Sequence, residues 1–348
     1  MKTTKKKKVI IKYSIIALLV AGFITGAIYA YFLSWWAYIP IFNKSQIKAA
    51  DLAARTSQAN TASSTPIPTF SPVPTNKTYT PAPATPTPLP TPTPHPGDRD
   101  NVFTETIEYD ESGYHSQDLS IEISQTQTEL LTYYVAEVYY RNNDNYFSAF
   151  SYGEENDRIQ VTSEMLEASG GILAVSGDNY NQRDYGIIIR NGILYRTHSS
   201  TDIMAIFDDG SMKTYPIKGE TAQNLIDQGA LHTYSFGPNL LADGQPIEDF
   251  KGLTSLYLRN LQPRSAVGMI EPYHYIFVVV DGRAPDYSQG VTMEELSQIM
   301  YDLGCVEAYN LDGGGSATMV FMGELVNRPQ GRYHERKVAD AIVFKEIK

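Results

Sequence analysis

The sequence predicts an α+β domain, a β-rich mixed sheet with a few flanking helices, preceded by a single transmembrane helix and a Pro/Thr-rich stalk. Three observations carry that expectation. One long apolar run follows a lysine cluster near the N-terminus; 12 of the 20 prolines fall between Pro66 and Pro96; and the rest of the chain alternates short β-like runs with turn signals. The 348 residues thus divide into a basic tail and membrane helix over 1–40, a linker over 41–97 and an extracellular domain over 98–348.

Lys2 and Lys5 to Lys8 precede an apolar stretch from Val9 to Leu33, uncharged from Tyr13 onward. About 20 such residues cross a bilayer. The positive-inside rule keeps the lysines cytoplasmic and exports the remainder, with Trp35, Trp36 and Tyr38 in the outer aromatic belt. A cleavable signal peptide carries a shorter apolar region of about 7–15 residues, so an uncleaved anchor is the favoured reading, and both readings export the domain. Within the linker, from about Ala49 to His95, the chain is Ala, Thr, Ser and Pro with almost no large apolar side chains. It cannot bury a core, and proline holds it as an extended spacer.

Charge divides along the same boundary. Residues 1–96 hold ten basic side chains and one acid, whereas residues 97–348 hold 18 basic and 38 acidic ones. The acidic part repels polyanions, which rules down a general nucleic-acid binder. Cys305 is the sole cysteine, which excludes an intramolecular disulfide framework and any multi-cysteine metal site. No cofactor is expected; a divalent cation held by the carboxylates stays open as an alternative, although no ligand run such as an EF-hand loop supports it.

Within the domain, Leu119–Ser124 and Tyr133–Tyr140 read as strands, and Asn191-Gly192 marks a hairpin between Gly186–Ile189 and Ile193–Tyr195. Ile203–Phe207 and Met212–Tyr215 repeat that plan across Asp208-Asp209-Gly210-Ser211, and short helices begin at Thr162 or Ser163 and at Thr221. Tyr275–Val280 is an unbroken apolar strand, as expected when both faces are buried. Thr292-Met293-Glu294-Glu295 forms a capping box for a helix that Gly304 stops. A second apolar run, Cys305–Leu311, follows, so strand, helix and strand predict a neighbouring parallel pair.

Both runs end in Asp-Gly: Asp281-Gly282-Arg283 and Asp312-Gly313-Gly314-Gly315-Ser316. Ligands of open sheets collect at such strand ends. Three successive glycines expose backbone N–H groups as an anion nest, and Arg264 and Arg283 supply bidentate donors for phosphate oxygens. Two carboxylates beside an anion seat point to acid/base work on a phosphorylated or glycosidic substrate, with an ordinary structural turn as the competing reading. Arg336 and Asp340, flanking the last strand, read as a pair with each other or with the sheet edge; His232 and His274 read as packed histidines.

The stretch from Ala168 to Val343 resembles the phosphodiester glycosidase family. The resemblance is carried by Arg264-Ser265-Ala266-Val267-Gly268, Val279-Val280-Asp281-Gly282-Arg283 and, most specifically, Asn310-Leu311-Asp312-Gly313-Gly314-Gly315-Ser316. Arg336–Ala341, Tyr234–Pro238 and Leu173–Tyr180 add to it. It implies hydrolysis of a sugar-1-phosphodiester. Asp281 and Asp312 would be the catalytic carboxylates, and Arg264, Arg283, Gly313, Gly314, Gly315, Ser316, Asp178 and Ser176 the substrate-binding residues. Ser176 stands where the family carries Asn, and a hydroxyl lacks the amide's paired donor and acceptor. That departure supports an alternative, a non-catalytic module holding phosphorylated wall glycans. Further alternatives are a phosphodiesterase cleaving on the phosphorus side and a purely adhesive domain. Residues 98–160 precede the resemblance, as a β extension of the same domain or a small unit of their own.

Overall fold

A computed structural model describes residues 102–250 and 260–347. The expected membrane helix and stalk lie outside the described residues; within them no helix is long and apolar enough to cross a membrane.

Seven strands form the larger sheet, in the order Glu108–Tyr109, Gly113–His115, Leu119–Gln127, Thr132–Tyr140, His274–Val280, Arg264–Glu271, Glu307–Asn310. A five-stranded sheet runs Glu324–Leu325, Met319–Phe321, Leu173–Ser176, Asp340–Phe344, Tyr146–Phe150. Leu119, Ile121, Phe277 and Val279 of the first meet Leu173, Val175, Ile342 and Phe344 of the second in the main core, which places the sheets face to face. Each outer face carries a helix. Helix α1 (Thr162–Ser169) sets Met165 and Leu166 on Ala174 and Val343, and α2 (Ala222–Asp227) covers a separate three-stranded sheet through Leu225. Helix α3 (Met293–Asp302) lays Met293, Leu296 and Met300 on Ala266, Val278 and Val280. Burying each such side chain is worth about 1.5–3 kcal/mol. The Tyr275–Val280 run is apolar throughout because alternate residues feed the two cores on either side of its sheet.

The α3 capping box is formed: Glu295 N donates to Thr292 Oγ1 at 3.2 Å, and Thr292 N donates to Glu295 Oε2 at 2.8 Å. Residues 102–140 extend the same large sheet, because Thr132–Tyr140 pairs in register with His274–Val280.

The expected neighbouring parallel pair is corrected. His274–Val280 and Glu307–Asn310 are both antiparallel to Arg264–Glu271, which lies between them. The two run in the same direction but do not touch as partners. A tight hairpin through Tyr273 returns the chain beside Arg264–Glu271, and Arg264–Glu271 takes the slot between the two strands that the α3 crossover joins. The consequence is functional. The ends carrying Asp281 and Asp312 flank the start of the strand that carries Arg264, since Arg264 pairs with Val280 and Ala266 with Asn310.

Candidate active site

Three segments converge at this edge around Gln262-Pro263. A Cβ on Gly282 would lie 2.6 Å from Pro263 N, and one on Gly313 2.7 Å from Pro263 O. Glycine is required at both positions by this close approach. Gly314, at φ +64°, turns the chain into a short 3₁₀ turn, Gly314–Ser316, and lies under the Arg283 guanidinium. Its N–H donates to Pro263 O at 2.9 Å. Among the described residues, none accepts a hydrogen bond from the N–H of Gly313 or Gly315.

The resulting cleft has a volume of about 180 Å³. Arg264, Arg283, Arg336, Asp312, Gly313 and Gly314 line it, with Phe236, Asn310 and Gln262-Pro263 completing the wall. Asp312 is 8% exposed, and burial pushes its carboxyl above the ordinary carboxylate range; Ser316 and Arg336 pull the other way. Arg336 Nη2 donates to Asp312 Oδ2 at 3.0 Å and its Nε to Ser316 Oγ at 2.8 Å, so one guanidinium spans both. Arg264 is anchored through Nε to Val291 O at 3.2 Å and through Nη2 to Asn260 O at 2.9 Å. Burial, and then the charge of Arg283, push it down to about 10, so it stays protonated at neutral pH while repelling its neighbour. Arg283 is held by Gln262 Oε1, 2.7 Å from its Nε. Arg183 stacks on Phe236 at 4.1 Å and also favours the ionised form of Asp312. Three lining guanidiniums against one carboxylate make a seat for an anion within an acidic domain. Asn310 donates through Nδ2 to Gly237 O at 2.7 Å, which fixes it beneath the cleft floor.

The structure brings Arg264, Arg283, Asp312, Gly313 and Gly314 together in the cleft wall. Gly315 and Ser316 follow in the same turn without lining it, and Asp281, Asp178 and Ser176 are held elsewhere by the protein. Asp281 is fully buried, with its carboxylate occupied by the protein. Oδ1 accepts from Asn327 Nδ2 at 2.8 Å and from Arg328 N at 3.0 Å, and Oδ2 accepts from Tyr287 OH at 2.9 Å. Burial raises its carboxyl, and those donors lower it. Asp178 and Asp340 instead share Arg190, each 2.9 Å from its Nη2, and Asp178 also accepts from Ser235 N at 2.8 Å. Arg190 is completely buried, so it requires a countercharge, and both carboxylates lie within reach of it. Ser176, also fully buried, sits mid-sheet opposite Ala341, where its Oγ accepts from Thr318 N at 3.3 Å.

The expected pairing of Arg336 with Asp340 or the sheet edge is likewise corrected. The chain from Arg336 to the last strand turns Arg336 towards Asp312 and Asp340 towards Arg190. Sequence reasoning missed Arg336, Asn310 and Phe236 as cleft residues, although all three lie inside motifs that carried the resemblance. Among the described residues, no group of three or more His, Cys, Asp or Glu side chains is placed to hold a metal ion.

With this geometry in place the comparisons are decisive on family. The phosphodiester glycosidase profile matches residues 169–345, half of the chain. The chain belongs to the phosphodiester glycosidase family. That match spans every residue of the cleft and leaves out the 102–140 strands. Over 201 residues, 56% of this chain, it is 30% identical to the SPbeta prophage-derived uncharacterized protein YomE of Bacillus subtilis, covering 31% of that protein. Over 78 residues, 22% of this chain, it is 32% identical to the N-acetylglucosamine-1-phosphodiester alpha-N-acetylglucosaminidase of Bos taurus, covering 14% of it. The chain therefore spans under a third of the length of the curated relatives it matches. The zebrafish N-acetylglucosamine-1-phosphodiester alpha-N-acetylglucosaminidase catalytic domain, auto-inhibited by its pro-peptide, superposes with a TM-score of 0.56 at 18% identity, over 67% of this chain and 85% of that one. At that identity the superposition shows a shared fold.

Proposed function

We propose that this phosphodiester glycosidase is a membrane-tethered extracellular hydrolase of sugar-1-phosphodiester bonds, of the N-acetylglucosamine-1-phosphodiester type, in cell-surface glycopolymers or exopolysaccharide. One observation carries the reading: among the described residues, Asp312 is the single carboxylate lining a cleft whose charged wall is otherwise Arg264, Arg283 and Arg336. The lysine cluster and apolar run at the N-terminus support the tether.

The guanidiniums hold the phosphodiester, while Phe236 faces the sugar. A water oxygen bonds to the anomeric carbon as the carbon–oxygen bond to phosphate breaks, with its electron pair leaving on the phosphate oxygen. Asp312 faces the oxocarbenium-like centre and takes the water's proton, directly or through a second water. The leaving phosphate monoester is a good leaving group, so the arginines that neutralise its second charge replace a strong general acid. Asp281 acts at one remove, as a positioning residue that holds the loop beginning at Asn327.

The test is hydrolysis of an N-acetylglucosamine-1-phosphodiester in ¹⁸O-water. Label in the released sugar is expected; label in the phosphate would mean attack at phosphorus, and binding without turnover would mean a recognition module.

A further inference from the structure

A second lobe of about 260 Å³ lies across Arg336 from the cleft, lined by Gly315, Pro329, Gln330, Arg332, His334 and Arg336. Arg336 lines both lobes, and the adjacent residues Gly314 and Gly315 line one each, so the lobes are neighbours on either side of the Arg336 side chain. The first lobe alone, at about 180 Å³, falls below the ~300 Å³ at which small-molecule sites begin. It has room for the scissile end of a substrate, and the leaving portion must go elsewhere.

The wall of the second lobe is built and held. Its loop is rooted where Asp281 accepts from Asn327 and Arg328 N. Gly331 packs on Ala284 so closely that a Cβ would lie 2.7 Å from the Ala284 methyl. At its far end Glu335 accepts from Ser163 N at 2.9 Å and from the Ser163 hydroxyl, at the start of α1. Between these anchors, His334 N donates to Arg332 O at 2.9 Å, which fixes the two basic residues in one turn. The lobe's polar lining is two guanidiniums, an imidazole and an amide, with no carboxylate among the lining residues; the one acid of the turn, Glu335, is committed to Ser163.

We propose that this lobe binds a second negative charge on the leaving side of the substrate: a further phosphate carried by the aglycone, as in a repeating phosphodiester polymer or a phosphorylated sugar. The inference rests on the reading of the first lobe as the phosphodiester site. It narrows the substrate class from any sugar-1-phosphodiester to one with an anionic aglycone. Arg336 is then shared between the scissile phosphate and the passage to the second, with Arg332 and His334 as specificity residues.

The experiment uses the full chain with two substrates, N-acetylglucosamine-1-phosphate esterified to a neutral diol and the same ester carrying a terminal phosphate monoester. Wild type is expected to show a KM about tenfold lower for the phosphorylated ester, the size of one good charge-assisted contact. The double variant Arg332→Gln, His334→Gln, both exposed positions, is expected to lose that preference to within about twofold while keeping kcat on the neutral ester. Raising salt to 0.5 M should erase the wild-type preference in the same way. Equal KM values in wild type, or a preference that survives in the double variant, would overturn the second lobe while leaving the first intact. Failure to cleave either ester would overturn the first-lobe reading, and this inference with it.

Discussion

Asp281 and Asp312 are both Asp-Gly carboxylates at strand ends, and replacing Asp281 with Asn separates a structural carboxylate from a reacting one. In wild type, Asp281 accepts at 2.8 Å from Asn327 and at 2.9 Å from Tyr287, with Arg328 N 3.0 Å from each of its oxygens. An amide keeps one oxygen and turns an NH₂ towards at least one of those donors. Hydrogen bonds to a charged acceptor are worth about 1.5–3 kcal/mol each, and a buried donor left unmade costs about 1–3 kcal/mol. Relief of the buried charge, which already raises the Asp281 carboxyl, offsets part of this. The net expectation is a loss of about 2–4 kcal/mol, or roughly 5–15 °C in melting temperature for a domain of this size. Circular dichroism melts measure it. Below the lowered transition, kcat should fall by less than about tenfold, because the carboxylate touches no substrate. An unchanged melting temperature with turnover abolished would show that Asp281 reacts, and would refute the assignment of roles to the two carboxylates.

Other expectations follow from the same geometry. Asp312 is held above the ordinary carboxylate range by burial and acts ionised, so kcat/KM should rise with pH along a limb lying above ~3.9. Because Arg336 favours the ionised form, Arg336→Ala should move that limb to higher pH as well as raising KM; a limb that stays put would contradict their coupling. Arg190→Met leaves Asp178 and Asp340 buried together, and should destabilise the fold by about 3–5 kcal/mol in a urea titration. Burial and then the Asp178 charge raise the Asp340 carboxyl above its unfolded value, so the folded state holds a proton there that the unfolded chain has released. That contribution is present at low pH and lost as pH rises from ~3.9 through the folded value, and the variant's melting temperature should accordingly fall more steeply than wild type across this window. A parallel pH dependence in the two proteins would argue against the shared countercharge.

Much of the fold was legible locally. The capping box at Thr292, the Asn-Gly hairpin at Asn191 and the doubly buried run before Asp281 are each decided by residues within a few positions, and each was read correctly. The sheet order was not, because the slot between the two Asp-bearing strands is filled by Arg264–Glu271, which precedes them both. The same limit governs the site. Nothing local distinguishes the two Asp-Gly tips. What separates them is Asn327-Arg328, more than 40 residues beyond Asp281, which closes over that carboxylate and leaves Asp312 to line the cleft. Arg336 and Asp340 are four positions apart and of opposite charge, which reads as a pair. Their true partners, Asp312 and Arg190, are set by packing between sheets.

The account stands most directly on the turnover of Asp312→Asn against an N-acetylglucosamine-1-phosphodiester. The variant should melt within a few degrees of wild type and still bind the ester through its three arginines. Its kcat should fall by about 10²–10⁴, the contribution of a positioned acid/base group. Turnover at the wild-type rate would contradict the claim that the one carboxylate lining the arginine-walled cleft performs the chemistry.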